Sequence, residues 1–62
     1  MFEIVNVENG MILNDEISDK FDAIKWASAW SDSNGFDYIE VNVIDKLVTV
    51  HKHKVNDVGE NG

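Results

Sequence analysis

The chain has 62 residues and a net charge of −7, from twelve acidic side chains against five lysines and no arginine. A domain of this size buries only about 60% of the surface of its unfolded chain, and without cysteine no disulfide or thiolate metal site can stabilise it. The acidity argues against direct nucleic-acid binding, which needs clustered Lys or Arg. No stretch approaches the ~18 apolar residues of a membrane span and no signal peptide is visible, so we expect a cytoplasmic protein without membrane association.

The first segment, residues 2–17, predicts a β-hairpin, because Asn9-Gly10 lies between two apolar runs. Two registers are open. A two-residue turn at Asn9-Gly10 pairs Val7 with Ile12, whereas a longer loop with a left-handed glycine pairs Ile4 with Ile12. Neither register gives a clean alternation of apolar and polar side chains, so the pattern does not indicate which face is buried.

Residues 19–32 are the only segment with clean helical periodicity, and they contain both tryptophans. Ser18 or Asp19 is expected to be the N-cap, with a side-chain oxygen that accepts a backbone N–H. Asn34-Gly35 is expected to end the helix in a left-handed conformation. The inward positions include two alanines, which allow a helix to lie close to a sheet.

Trp26 lies towards one edge of the apolar arc of this helix, and Asp22 falls on the opposite, polar face. The first interpretation of Trp26 is a core side chain, since large aromatic residues dominate the energetics of small cores. The alternative is a half-exposed tryptophan that anchors a partner.

Residues 36–55 predict a second hairpin, with a two-residue turn at Asp45-Lys46. This register places two valine pairs on one face, which we assign to the helix: Val43 with Val48 and Val41 with Val50. The same register opposes three further pairs: Asp37 with Lys54, Glu40 with His51, and Tyr38 with His53. Apolar pairs inside and opposite charges elsewhere support one pairing.

The order hairpin–helix–hairpin predicts an α+β fold, ββαββ, with a single four-stranded antiparallel sheet and one α-helix packed on one face. Residues 1–55 are expected to form the single domain. Residues 56–62 are polar and glycine-rich, and we expect a flexible C-terminal tail. One face of the sheet is then left uncovered.

Catalytic groupings are missing from the sequence. Cysteine is absent, the serines have no histidine nearby, and the glycines are isolated, so we expect no enzyme activity and no cofactor. His51 and His53 with Glu40 form the only candidate metal group, a facial triad of two imidazoles and a carboxylate. The alternative is a Glu40–His51 pair and a Tyr38–His53 contact on a wet face, and no metal site is assigned.

The uncovered face is expected to expose a patch of apolar side chains among polar ones, which is typical of a protein contact. We expect partner binding by three aromatic residues, by two acids and by the two histidines: Trp26, Phe36, Tyr38, Asp22, Glu40, His51 and His53. Two other interpretations are open, a homodimeric structural subunit and a DNA mimic with carboxylates at phosphate-like intervals. In this chain the acids are scattered and interrupted by lysines, as on an ordinary solvated surface.

Short segments of the chain also resemble segments of known small proteins. The pattern of residues 5–10, the helix segment 22–27 and a following hairpin looks like small phage-encoded proteins. Lys25-Trp26-Ala27 and residues 39–48, with Asp45-Lys46 at the turn, resemble the Dmd family of T-even phage antitoxins, which bind and block a host RNase toxin. The resemblance covers the second half of the chain. It implies a phage protein that inhibits a host factor by direct contact, in the host cytoplasm. Since this chain is acidic, we expect the partner to be a host protein with a basic or mixed groove.

Overall fold

The structure, a computed structural model, describes residues 1–52. Its elements in chain order are β1 (Phe2–Asn6), β2 (Met11–Ile17), α1 (Lys20–Asn34), β3 (Tyr38–Asn42) and β4 (Leu47–His51). The predicted α+β class and the ββαββ order are confirmed. The end of the predicted last strand, residues 53–55, and the predicted tail 56–62 lie outside the described residues.

The four strands form one sheet in the order β2-β1-β4-β3, in which β1 and β4 run parallel. The prediction of a purely antiparallel sheet is therefore wrong, although each hairpin is antiparallel. β2 and β3 both run against the central strands and hence parallel to each other, so the chain between them must return across the sheet. The 15-residue helix makes this return, with a length of about 22 Å.

The first hairpin has a register that lies between the two predicted ones, with Val5 opposite Ile12. The cause is Asn6, which ends β1 and organises a turn over residues 7–10. Its Oδ1 accepts the N–H of Glu8 at 2.9 Å, and its carbonyl accepts the N–H of Gly10 at 2.7 Å. Gly10 closes the turn with a φ of 73°, in the left-handed region where glycine has no Cβ penalty.

The second hairpin is built in the same way, and its register differs from the predicted one by two residues. Asn42 Oδ1 accepts the N–H groups of Ile44 and Asp45, each at 3.0 Å, so the turn covers residues 43–46 rather than Asp45-Lys46 alone. The observed pairs are Val41 with Val48 and Ile39 with Val50. Because side chains alternate with a period of two, this shift keeps the predicted inward face.

The helix begins and ends with the predicted signals. Asp19 is the N-cap, and its Oδ2 accepts the N–H of Asp22 at 3.0 Å. Gly35 is left-handed with a φ of 75°, and its N–H bonds to the carbonyl of Ser31, so α1 extends to Asn34. No helix within residues 1–52 is long and apolar enough to cross a membrane.

The core lies between α1 and one face of the sheet. Two alanines of the helix and four side chains of the central strands are buried: Ala23, Ala27, Phe2, Ile4, Val48 and Val50. The alanines bring the helix backbone close to β1 and β4. Both tryptophans are half-buried and pack against the rim of this core.

Candidate protein-binding face

The other side of the sheet is here called the open face. Its side chains alternate along each strand with the ones that point to the helix: Glu3, Val5, Tyr38, Glu40, Asn42, Leu47, Thr49 and His51. No helix or strand of residues 1–52 packs on this side. The central positions are nevertheless largely buried, with only a minor part of each side chain exposed.

An aromatic stack lies at one end of the open face, where β3 begins and β4 ends. Tyr38 is paired with His51 across β3 and β4, and their rings stack with centroids 4.6 Å apart and an interplanar angle of 8°. The hydroxyl of Tyr38 is buried and has no hydrogen-bond partner among the described residues. The pairing of the two strands thus places two aromatic rings in direct contact on the open face.

Polar groups hold the imidazole of this stack in place. His51 Nε2 lies 2.8 Å from Thr49 Oγ1 and 3.4 Å from Glu40 Oε1. The predicted Glu40–His51 contact is confirmed, but as a diagonal pair, since the observed register puts Glu40 opposite Thr49. The side chain of His51 is 13% exposed and that of Glu40 is 58% exposed, so the carboxylate remains accessible beside an ordered ring.

Apolar side chains extend the open face away from the stack. Val5 and Leu47 lie on the two central strands, and Ile12, opposite Val5, is 53% exposed. Beyond Leu47, an open depression of about 650 Å³ is lined by residues of the β3–β4 turn, including Ile44, which is 89% exposed. The open face therefore combines an apolar centre with an acidic margin.

The remaining predicted residues lie elsewhere. Phe36 precedes β3 and does not lie on the open face: its ring meets Trp30 edge-to-face at 4.8 Å, against the rim of the core. Trp26 is half-buried against the same core, and Asp22 is exposed on the first turn of the helix. Since helix and open face are on opposite sides of the sheet, a flat partner that contacts Tyr38 does not reach Asp22. His53 lies outside the described residues.

Metal binding receives little geometric support within residues 1–52. No group of three His, Cys, Asp or Glu side chains there is arranged to hold a metal ion. Glu40 and His51 supply two of the predicted ligands, and His51 already contacts Thr49. The third predicted ligand, His53, is the one outside the described residues.

The sequence did not reveal the part of the open face that β1 contributes. Glu3 and Val5 join it because β1 lies beside β4, with Glu3 opposite Leu47 and Val5 opposite Thr49. A signal was present in the first strand, where Phe2, Ile4 and position 6 alternate inward. Asn6 obscured that alternation, because a buried asparagine, 8% exposed, occupies the third inward position.

Comparison of the sequence with protein-family models and curated proteins, and of the fold with solved structures, finds no match. The resemblance to the Dmd family consequently stays a likeness between short segments.

Proposed function

We propose that this protein is a non-enzymatic, acidic binding protein of phage type, which binds and inhibits a host protein through the open face. The observation that carries the proposal is the Tyr38–His51 stack with the apolar side chains beside it, on a sheet face that no element of residues 1–52 covers. An exposed apolar patch with a polar rim is characteristic of protein contacts.

The aromatic pair is held in position before any partner binds, and this favours binding. An interface residue contributes most when it is already held in its bound position, because little side-chain entropy is then lost on association. Tyr38 is stacked on His51, and His51 is in turn held by Thr49 and Glu40. Tyrosines in the centre of a contact are frequent hot spots of binding energy.

Charge favours a partner with a basic or mixed groove. The chain carries a net charge of −7, and Glu3 and Glu40 are exposed at the margins of the open face. Complementary charges accelerate association and fix the orientation of two proteins. The segments that resemble the Dmd family favour a host toxin or nuclease as the target, which the protein would inhibit by occupying its groove.

Affinity capture from host lysate followed by mass spectrometry tests the proposal, with Tyr38→Ala as the decisive variant. Phe21→Ala is the matched control, because Phe21 is 70% exposed on the helix side of the molecule. We expect one protein to be captured by wild type and by Phe21→Ala but lost with Tyr38→Ala. Equal capture by both variants, with both folded by circular dichroism, would contradict the role of the open face.

Two measurements on the purified pair complete the test. Complex formation should weaken steeply between low and high salt, since exposed charges are screened within about 10 Å at 0.1 M. The activity of the captured protein should fall as the complex forms. Sedimentation of the acidic protein alone should give a monomer, whereas a tight dimer that covers Tyr38 would favour the structural-subunit alternative.

A further inference from the structure

The two edges of the sheet differ in how well they are protected against pairing with another strand. β2, at one edge, shifts register against β1 twice, and each shift adds a residue on β2. Within it, Asn14 Oδ1 accepts the N–H of Glu16 at 2.9 Å, so the strand satisfies part of its own backbone. Bulges of this kind discourage edge-to-edge association.

β3, at the opposite edge, carries none of these protections. It pairs with β4 in an unbroken register from Tyr38 to Asn42, and it contains neither proline nor lysine. Within residues 1–52, no strand pairs with its outer side. In an antiparallel ladder about half of the backbone groups of an edge strand point outward, so β3 offers a short row of unused donors and acceptors.

The surroundings of this edge are acidic and open. Depressions of about 340 Å³ and 650 Å³ lie at the start and the end of β3. Asp32 and Asp37 line the first. Glu40 is the single charged side chain of the strand itself. Each of these three carboxylates can accept a hydrogen bond from a basic side chain.

We propose that β3 receives an extended segment of a partner protein as a fifth strand, and that this segment carries Lys or Arg opposite Glu40 with apolar residues on either side. Strand addition of this type takes its affinity from main-chain hydrogen bonds and its specificity from alternate side chains. The residue opposite Glu40 lies on the open face, where an opposite charge is favourable. Its two neighbours lie on the helix side, beside the partly exposed Ile39 and Val41.

A second copy of this chain is a poorer occupant than a basic segment. Two copies bring together net charges of −7 each, and a symmetric pairing centred on β3 sets Glu40 against Glu40. Like charges directly opposite in a sheet are destabilising. The inference rests on the proposed binding function and specifies the partner segment and the edge that it uses.

The test uses a fluorescein-labelled peptide, Lys-Thr-Val-Arg-Val-Thr-Lys, titrated into the full chain and followed by polarisation and by amide NMR. Shift changes should concentrate in Tyr38–Asn42 and spare Met11–Ile17. Two N-methylated peptides are the backbone controls, one methylated at its odd-numbered residues and the other at its even-numbered residues. The peptide whose methyl groups replace the N–H groups that face β3 should bind about tenfold or more weakly, because two or three main-chain hydrogen bonds are lost. The other peptide should bind as the parent does.

Charge reversal at Glu40 tests the proposed pair between this side chain and a basic residue of the partner segment. Glu40→Lys should weaken the arginine peptide about fivefold, through loss of an attractive cross-strand pair and gain of a repulsive one. The same variant should bind better than wild type to the peptide with glutamate in place of arginine. Asp22→Lys makes the same change in net charge on the helix and should alter affinity less than twofold.

Three results would each overturn the inference: no binding, equal binding of both N-methylated peptides, or equal effects of Glu40→Lys and Asp22→Lys. A dimer in sedimentation whose amide shifts fall on β3 without peptide would assign the edge to a second copy instead. Failure of the peptide leaves the capture experiment with Tyr38→Ala intact, so the inference and the proposed function can fail separately.

Discussion

A single engineered disulfide tests the parallel contact between β1 and β4 on which the open face depends. Val5 and Thr49 are opposite each other on that face, where neither side chain is part of the buried core. Adjacent strands are about 4.8 Å apart, within the range of Cα separations that a disulfide spans. The double substitution Val5→Cys, Thr49→Cys should therefore oxidise, and the natural chain has no cysteine to compete.

The expected stabilisation follows from the loop that the disulfide closes. Residues 5 to 49 enclose about 45 residues, and the chain-entropy model gives about 4 kcal/mol for a loop of that length. Strain in the folded state reduces such gains, so we expect ~2–4 kcal/mol over the reduced form of the same variant. For a domain of this size even ~2 kcal/mol raises Tm by about 10 °C.

The assay compares thermal unfolding of the oxidised and reduced forms, with free thiols counted beforehand. The matched control is Glu3→Cys, Thr49→Cys, in which the two positions are offset by two residues along parallel strands. Their Cα atoms are then about 8 Å apart, too far for an unstrained disulfide. If the control oxidises as readily as the test pair, or the Val5–Thr49 disulfide lowers Tm, the parallel register is wrong.

Three further predictions concern stability and can be checked by urea unfolding. Ile4→Ala removes a fully buried side chain and should cost about 2–5 kcal/mol, whereas Ile44→Ala, at an exposed position, should stay within about 0.5 kcal/mol; similar losses would refute the assignment of the core. Lys46→Gly should stabilise by about 0.5–1 kcal/mol because Lys46 has a φ of 55°, and Gly10→Ala should destabilise by a similar amount; a loss with Lys46→Gly would contradict the left-handed turn. Asp19→Ala should lower the free energy of unfolding by about 1 kcal/mol through loss of the N-cap. Asp19→Asn should retain most of the stabilisation by the cap, and equal losses in the two variants would argue against capping by the side chain.

The features that the sequence predicts well are those fixed by neighbouring residues. The helix begins at an aspartate whose carboxylate reaches a nearby N–H and ends at a glycine that tolerates positive φ, and both signals are local. The inward face of the second hairpin was also predictable, because Val41, Val48 and Val50 keep their face under a two-residue shift. The register itself was not, since Asn42 enlarges the turn through side-chain hydrogen bonds that a dipeptide rule ignores.

The arrangement of the two hairpins depends on contacts between residues far apart in sequence. Ile4 and Val48 are neighbours in the sheet although the helix and two other strands separate them along the chain. In this order β1 and β4, which contain the most deeply buried side chains, form the centre of the sheet, and the more exposed β2 and β3 form its edges. Val5 became part of the candidate site through this non-local contact.

Amide and methyl NMR of the captured complex can show whether the open face is the surface that meets the partner. We predict that signals of Val5, Tyr38, Leu47 and His51 change on complex formation, while those of Asp22 and Trp26 on the helix side do not. Changes confined to the helix, with the Tyr38–His51 stack unaltered, would exclude the open face as the binding surface.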